Sequence, residues 1–356
     1  MGEPGDRQGE PARPLGYAEA GVDIAAGDKA VELIKEHVRS THRPEVLGGI
    51  GSFGGLFSIG ALGRRDPVLV SSTDGVGTKS LIARLVGRYD TIGLDVVAMC
   101  VDDIAANGAE PLFFLDYVSV GQLVPERMEA IVAGVAAGCR HAGCALLGGE
   151  MSEHPGIMEP DEFDLVGFAV GVVERDETLP RGVAPGDALV GVGSPGLRCN
   201  GYSLARRALL EVAGRSLDEP AWPGTHRTLG DELLEPSVIY APSLVDLRRH
   251  VDVHAFVHVT GGGIAGNLER VLPDDCDAVV ERGSWDEPRI FAEVQAAGAV
   301  PDDEMEHVFN LGLGMLVVVR RDDRFRAIDL LRAAGHDACA VGEIRPGDGR
   351  ARVVRS

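Results

Sequence analysis

The chain is short of lysine, aromatic residues and clustered cysteines, and it has no long apolar run. Of its 356 residues only Lys29, Lys35 and Lys79 are lysine, and the remaining basic side chains are arginine apart from histidine. General codon bias accounts for such a skew. A lysine that persists under it marks a place where a compact ammonium is not interchangeable with a planar fork. No segment approaches the roughly 20 apolar residues that span a bilayer, which excludes a helical membrane protein. Cys100, Cys139, Cys144, Cys199, Cys276 and Cys339 are scattered with no C-x-x-C pair, which argues against structural zinc and for free thiols in a reducing compartment. Residues 1–16 are rich in Gly, Pro, Glu and Arg and lack the apolar stretch of a signal peptide. They read as a disordered tail on a cytoplasmic protein. Positive charge is scarce overall: the formal net charge is −21 and the pI about 4.8. Affinity for nucleic acid comes mainly from neutralising phosphates, so this balance weighs against a nucleic-acid partner. A small phosphorylated ligand remains compatible where cations are local or a metal intervenes.

What the chain does have is glycine next to carboxylates. The apolar run Pro67-Val68-Leu69-Val70 reads as a strand, and Ser71-Ser72-Thr73-Asp74-Gly75-Val76-Gly77-Thr78-Lys79 leads from it into a helix beginning near Ser80. These are the parts of a metal–polyphosphate site: Asp74 for a divalent ion, Gly75 and Gly77 for close backbone approach, Thr78 and Lys79 toward phosphate. The same residues also make an ordinary Asp-Gly turn. It is not a P-loop, because Thr78 stands where that motif requires glycine. Upstream, 22–40 has helical periodicity with Lys35 on its more polar side. Gly48-Gly49-Ile50-Gly51-Ser52-Phe53-Gly54-Gly55 follows with no strand expected before it, and reads either as a flexible loop over phosphates or as a hairpin connection.

Residues 89–107 read as one helix whose apolar face is interrupted by Asp95, Asp102 and Asp103. Acids two turns apart share a face, so Asp95 and one of the other two are expected to do so, with at least one carboxylate in a pocket. Ala145-Leu146-Leu147 is expected to end as a strand at Gly148-Gly149-Glu150, repeating the design around Asp74. The second half opens near Leu179, with a strand at 188–193 and a helix from Asn200 to about Val212. The strand at 254–259 ends in Thr260-Gly261-Gly262-Gly263-Ile264-Ala265-Gly266-Asn267. That G-x-G-x-x-G is a poor dinucleotide site, since the helix after it is short and the strand carries His254 and His258; a phosphate-binding turn fits better. The two histidines share a strand face and read as structural. Phe309-Asn310-Leu311-Gly312-Leu313-Gly314-Met315 enters a late strand, followed by a helix at 325–334 and a strand at 338–344.

Taken together these motifs resemble the phosphoribosylformylglycinamidine cyclo-ligase (AIR synthetase) family, of the PurM-like superfamily, over roughly 17–344. The carriers include Tyr17-x-x-Ala20-Gly21-Val22-Asp23-Ile24, Ser72 to Lys79, Asp90 to Asp95, Gly108 to Tyr117, Gly148-Gly149-Glu150, Asn200 to Leu204, Thr260 to Gly263 and Phe309 to Met315. The resemblance implies an α/β (α+β) chain with the two-domain PurM-like fold. In it, an N-terminal ATP-binding domain (17–178) pairs in a homodimer, and a C-terminal α/β domain (179–356) packs against it. It implies ATP-dependent closure of formylglycinamidine ribonucleotide (FGAM) to aminoimidazole ribonucleotide (AIR), with Mg²⁺. Carried over by position, Asp74, Asp103 and Glu150 become metal candidates, and Asp74, Lys79, Asp103 and Asn200 catalytic ones. Lys35, Gly49, Gly51, Ser52, Gly54, Gly75, Gly77, Thr78, Asp95, Gly148 and Gly149 fall to ATP. Arg198, Asn200, Thr260, Gly261, Gly262, Gly263 and Asn310 fall to the substrate. Three positions depart from the family pattern. Arg198-Cys199 replaces the more usual His-Ser, Asp102-Asp103 the usual Asn-Asp, and Val308 a threonine; Arg198 is accordingly expected to contact phosphate. A superfamily phosphotransferase (like selenophosphate synthetase or thiamine-monophosphate kinase) and a non-catalytic nucleotide-binding scaffold are the competing readings.

Overall fold

The computed structural model describes residues 16–49 and 53–355, so the expectations for Gly51 and Ser52 lie outside the described residues. In the first half, α1 (Ile24–Arg39) is started by Asp23, whose side chain accepts from the Ala26 N–H. There follow β1 (Val46–Leu47), β2 (Leu56–Phe57), β3 (Pro67–Gly75), α2 (Lys79–Val86), α3 (Ile92–Ala106), β4 (Glu110–Val120), α4 (Pro125–Ala142), β5 (Ala145–Glu153) and β6 (Phe163–Glu174). In the second half come β7 (Ala188–Gly193), α5 (Tyr202–Arg206), α6 (Leu229–Leu233), α7 (Ala241–Leu247), β8 (Val253–His258), α8 (Gly263–Leu268) and β9 (Cys276–Arg282). Then α9 (Arg289–Gly298), α10 (Asp302–Val308), β10 (Leu313–Val319), α11 (Arg324–Ala333), β11 (Ala338–Pro346) and β12 (Ala351–Arg355) complete it.

Each half is built on one mixed sheet. The first is four-stranded in the order β3-β6-β4-β5, antiparallel except for β4 beside β5. The second is six-stranded, β12-β9-β11-β7-β10-β8, with only β12 and β9 parallel. Side chains alternate across a strand, so the registers fix which face of the first sheet each residue occupies. Asp74, Gly167, Asp116 and Gly149 form one cross-strand row. On that face Phe114, Val118, Leu165 and Ala169 are buried. The other face carries Leu69, Tyr117 and Phe168, which are 57%, 38% and 38% exposed.

Three sequence expectations change here. A strand does stand ahead of the glycine loop: β1 pairs antiparallel with β2, Val46 with Phe57 and Leu47 with Leu56. β5 does not end at Gly148; it runs through Gly148-Gly149-Glu150 to Glu153 because β4 continues to pair with it. The helix after Asn200 is α for five residues and then a π-helix over Arg207–Val212.

α3 is the central element, packed on β3, β6 and α4 of its own half and on α7 and β8 of the other. A helix apolar on all sides is a buried helix, and twelve of its residues are buried, Asp95 and Asp102 among them. Its approach to α4 is set by Gly93, where a Cβ would lie 2.2 Å from Val135 N and 2.5 Å from Ile131 O. Gly93→Ala is expected to force the helices apart and lower stability by about 1–3 kcal/mol, the usual cost of overpacking. Chemical denaturation of the two proteins checks this.

Candidate active site

The site is a cleft between the two halves, reached from α3 on one side and from β8 and α8 on the other. Neighbouring residues on α3 point about 100° apart, so Asp102 and Asp103 diverge. Asp102 turns inward and is fully buried. Its Oδ1 accepts from the backbone N–H groups of Tyr240 (2.8 Å) and Ala241 (3.0 Å), and its Oδ2 pairs with Arg198 Nη2 at 2.9 Å. Asp103 turns into the cleft. There its Oδ2 accepts from Ser72 Oγ (2.9 Å), and its Oδ1 lies 2.8 Å from His258 Nδ1.

Arg198 donates through the same Nη2 to His258 Nε2 at 3.0 Å. A guanidinium only donates, so Nε2 accepts and the ring proton sits on Nδ1, facing Asp103. The order Asp102–Arg198–His258–Asp103 therefore links α3 to β8 and back. Arg198 is held further by Nη1 donating to Val238 O (2.7 Å) and by stacking over Tyr240, 5.1 Å to the ring centroid. Its backbone is left-handed (φ 60°), a strained setting for an arginine.

The electrostatics separate the two candidate metal acids. Burial alone drives Asp103 up, but the His258 and Ser72 hydrogen bonds outweigh it and hold the carboxyl below its ordinary range. Asp74 is raised, chiefly by burial and further by the charge of Asp103; the Gly75 N–H opposes this. Two carboxylates that repel one another across a half-buried cleft suit a divalent cation. Glu150 does not join them. It pairs in register with Tyr117 on the opposite face of the sheet, three strand spacings from β3, or about 14 Å. Among the described residues no cluster of three acids, histidines or cysteines could hold a metal.

Other expected residues also take different roles. Lys79 is fully buried; its ammonium lies 2.7 Å from Asp95 Oδ2, donates to Glu235 O at 2.8 Å and faces the Tyr202 ring. Asp95 accepts from Ser237 N (2.8 Å) and Oγ (2.6 Å). Both groups are fully buried and paired with one another, which sets them apart from a nucleotide in the cleft. Arg198 likewise meets a carboxylate of its own chain where a phosphate was expected. Asn310 is buried, donating to Gly196 O (3.0 Å) and accepting from Gly312 N (2.7 Å), and so shapes a turn. Lys35 pairs with Glu32 one turn earlier on α1. Thr78 Oγ1 meets Ser203 Oγ at 3.2 Å, across the two halves. Asn200 is brought to the glycine turn, its Nδ2 3.7 Å from where a Gly261 Cβ would stand. The Thr260–Gly263 turn is tied by buried Asn267, which donates to Gly263 O at 2.8 Å, and it is left-handed at Gly262 (φ 96°) and Gly263 (φ 67°). Gly148, Gly149 and Glu150 line a separate apolar crevice of about 200 Å³ under α1. Asp116 ends that crevice: burial pushes its carboxyl to about 7, and its Oδ2 has no described partner.

Sequence reasoning missed the splitting of the histidine pair. His254 binds Asp187 (2.6 Å) as a structural residue should, whereas His258 reaches the cleft. The available signal was the coincidence of the two departures from the family pattern, since Asp102 and Arg198 are one ion pair.

Comparison with known proteins supplies the class. Residues 58–173 match the family model for the N-terminal domain of AIR synthase related proteins and 184–355 that for the C-terminal domain. The fold is similar to that of thiamine-monophosphate kinase from Stenotrophomonas maltophilia K279a (TM-score 0.67, 21% identity, 90% of this chain and 95% of that one). It is also similar to the hydrogenase maturation protein HypE in complex with ATP (TM-score 0.65, 16% identity, 92% and 91% covered). At these identities the likeness is one of fold alone. The chain is thus an AIR-synthase-related protein of two domains. It is 54% identical to phosphoribosylformylglycinamidine cyclo-ligase of Anaeromyxobacter sp. (strain Fw109-5), over 96% of this chain and 99% of that one. To the enzyme of the same name from Geobacillus kaustophilus (strain HTA426) it is 51% identical, over 94% and 96%. It belongs to the phosphoribosylformylglycinamidine cyclo-ligase family.

Removing one partner of a buried ion pair strands the other. Asp102→Ala is expected to cost about 3–5 kcal/mol in unfolding free energy. Asp102→Leu combined with Arg198→Met should cost much less than the sum of the two single changes. Urea denaturation of the cycle reads both.

Proposed function

We propose that the chain closes the imidazole ring of AIR from FGAM at the expense of ATP, releasing ADP and phosphate in de novo purine synthesis. The observation that carries this is near-full-length identity of about half to enzymes of that name, joined to a cleft that presents Asp74 and Asp103 together. An amide oxygen is a poor leaving group. Phosphorylation of the formyl oxygen turns it into phosphate, after which the ribose-bearing amidine nitrogen attacks the formyl carbon. Such a transfer asks a protein for positioning and charge stabilisation and not for a nucleophile. No Ser-His-Asp arrangement is required, and the buried thiol of Cys100, beneath Asp74, is held protonated by burial, far above its ordinary range.

The cation we assign to Asp74 and Asp103 is Mg²⁺, which would neutralise charge between ATP's phosphate oxygens. Asp103 is held ionised and oriented by Ser72 and His258, ready to accept that ion. Gly75 and Gly77 leave the backbone open beside Asp74. Asn200 and the Thr260–Gly263 turn face the same cleft from the second half and are assigned to the ribosyl substrate. Gly49, Gly54, Gly148 and Gly149 stay assigned to the nucleotide, whereas Glu150, on the far face of the sheet, is set aside as a ligand of that ion.

That open face supports a homodimer. Leu69, Tyr117 and Phe168 form an exposed apolar strip on a sheet, and soluble monomers seldom leave one uncovered. We take 17–178 as the ATP-binding and dimerisation domain and 179–356 as its C-terminal partner, working in the cytoplasm. No helix among the described residues is long and apolar enough to cross a membrane.

Coupled detection of ADP with FGAM, with and without Mg²⁺, tests the reaction; absence of FGAM-dependent ADP release removes it. In the same assay Asp74→Asn should lower kcat by on the order of 10²-fold or more, as loss of a charge-stabilising group does. Phe168→Glu should shift the protein toward monomer in sedimentation velocity, since it places a charge at the core of the apolar strip.

A further inference from the structure

A phosphorylated ligand entering this cleft needs a cation, and the motif cations are spent. Lys79 is neutralised by Asp95 and Arg198 by Asp102, both inside the protein. The cleft nevertheless encloses a polar cavity of about 290 Å³, with Ser71, Ser72 and Asp103 on the wall from the first half and His258, Asn267 and Arg270 on the wall from the second. Arg270 lies in the 3₁₀ turn that follows α8. Its one described hydrogen bond runs from Nη1 to Asn267 Oδ1 at 3.3 Å, and it forms no described ion pair, although its charge reaches Asp103 across the cavity.

Asn267 makes the arrangement more than an exposed arginine. It is 2% exposed, and its Nδ2 donates to Gly263 O (2.8 Å) and lies 3.3 Å from both Thr260 O and Gly261 O. Its Oδ1 is shared by Thr260 Oγ1 and Arg270, each at 3.3 Å. One buried amide therefore fixes the glycine turn and aims a guanidinium, so turn and cation form a single unit on the cavity wall. A guanidinium without a carboxylate partner, in a chain of net charge −21, is a receptor for an anion with planar pairs of oxygens.

We propose that Arg270 is the specificity-determining residue for the phosphate monoester of the ribosyl substrate, which lodges in the cavity between the halves. This rests on the cyclo-ligase reading and names a group that the motif resemblance left out. ATP is the other source of phosphate. It falls to the opposite wall, where Asp74 and Asp103 can share a cation with its terminal phosphate. Arg270 and the Asn267-tied turn serve the substrate that must present its formyl group to that phosphate.

The test compares wild type, Arg270→Lys and Arg270→Ala, with FGAM and with its 5′-dephospho nucleoside as acceptors and ATP varied separately. Loss of a hydrogen-bonded charge contact corresponds to a KM for FGAM raised about 10- to 100-fold in Arg270→Ala. KM for ATP should stay within about 2-fold, because an independent site does not couple. The preference for phosphorylated over dephosphorylated acceptor should collapse in Arg270→Ala and persist in part in Arg270→Lys, which keeps charge but not the fork. An unchanged preference in Arg270→Ala, or an effect confined to KM for ATP, overturns the proposal. If Arg270→Ala does not fold, inhibition by ribose 5-phosphate decides, being weaker against Arg270→Lys than against wild type; equal inhibition overturns it. If wild type shows no FGAM-dependent ADP release, the reaction reading fails. Calorimetric binding of ribose 5-phosphate to wild type and to Arg270→Lys still judges Arg270.

Discussion

Two buried ion pairs hold the halves of this molecule in one relation, and the cleft depends on them. Lys79 and Asp95 meet with Glu235 and Ser237 of the second half; Asp102 meets Arg198 and the backbone of Tyr240 and Ala241. Burying four charges is costly, and pairing them does little better than break even against apolar packing. What such pairs do supply is selectivity of arrangement. An apolar interface tolerates sliding, whereas an offset of even an ångström or two here would leave a charge unpaired in a medium that penalises it heavily. The acids of α3 thus act first as registration pins between two domains.

Registration matters because the functional groups arrive from both sides. Asp103 sits one residue beyond a pin and so faces the cleft at a fixed depth. His258 stands on a strand of the other domain and reaches Asp103 only if the halves are seated. Arg198 couples both events: the guanidinium that satisfies Asp102 also fixes the proton position of His258. The pair Asp102–Arg198 joins two of the positions at which the sequence was read as departing from the family pattern, and it leaves the carboxylate of Asp103 free to face the cleft.

Much of the fold was legible from pattern. α1, α3, α11, β7, β8 and β11 follow their apolar periodicity to within a few residues, since burial of one face or of a whole element is a local property of sequence; β3 starts where expected but runs on through Asp74 to Gly75 because β6 continues to pair with it. The strand ahead of the glycine loop escaped notice because β1, like β2, is two residues long, too short to show alternation. β5 was cut short by reading Gly148-Gly149 as a terminus, when glycine there admits the Asp116 carboxylate; a Gly149 Cβ would stand 1.7 Å from Asp116 Oδ1.

By itself, the sequence determined the two-domain α/β plan, the family and the set of acids and glycines from which a site must be drawn, because each is written in contiguous residues. It could not determine which of those acids act together. Asp103 bonds Ser72, two residues from Asp74 on the same strand face, and its charge acts on Asp74; Glu150, chemically alike, is placed on the opposite face by strand register alone. Nor could it separate working cations from buried ones. Lys79 and Arg270 are each a single positive charge near glycines, and what sets one as a pin and the other at a cavity wall is a carboxylate contributed from elsewhere in the chain. Partnership between residues distant in sequence is a tertiary fact, since a charge has no fixed role until its surroundings decide whether it is neutralised.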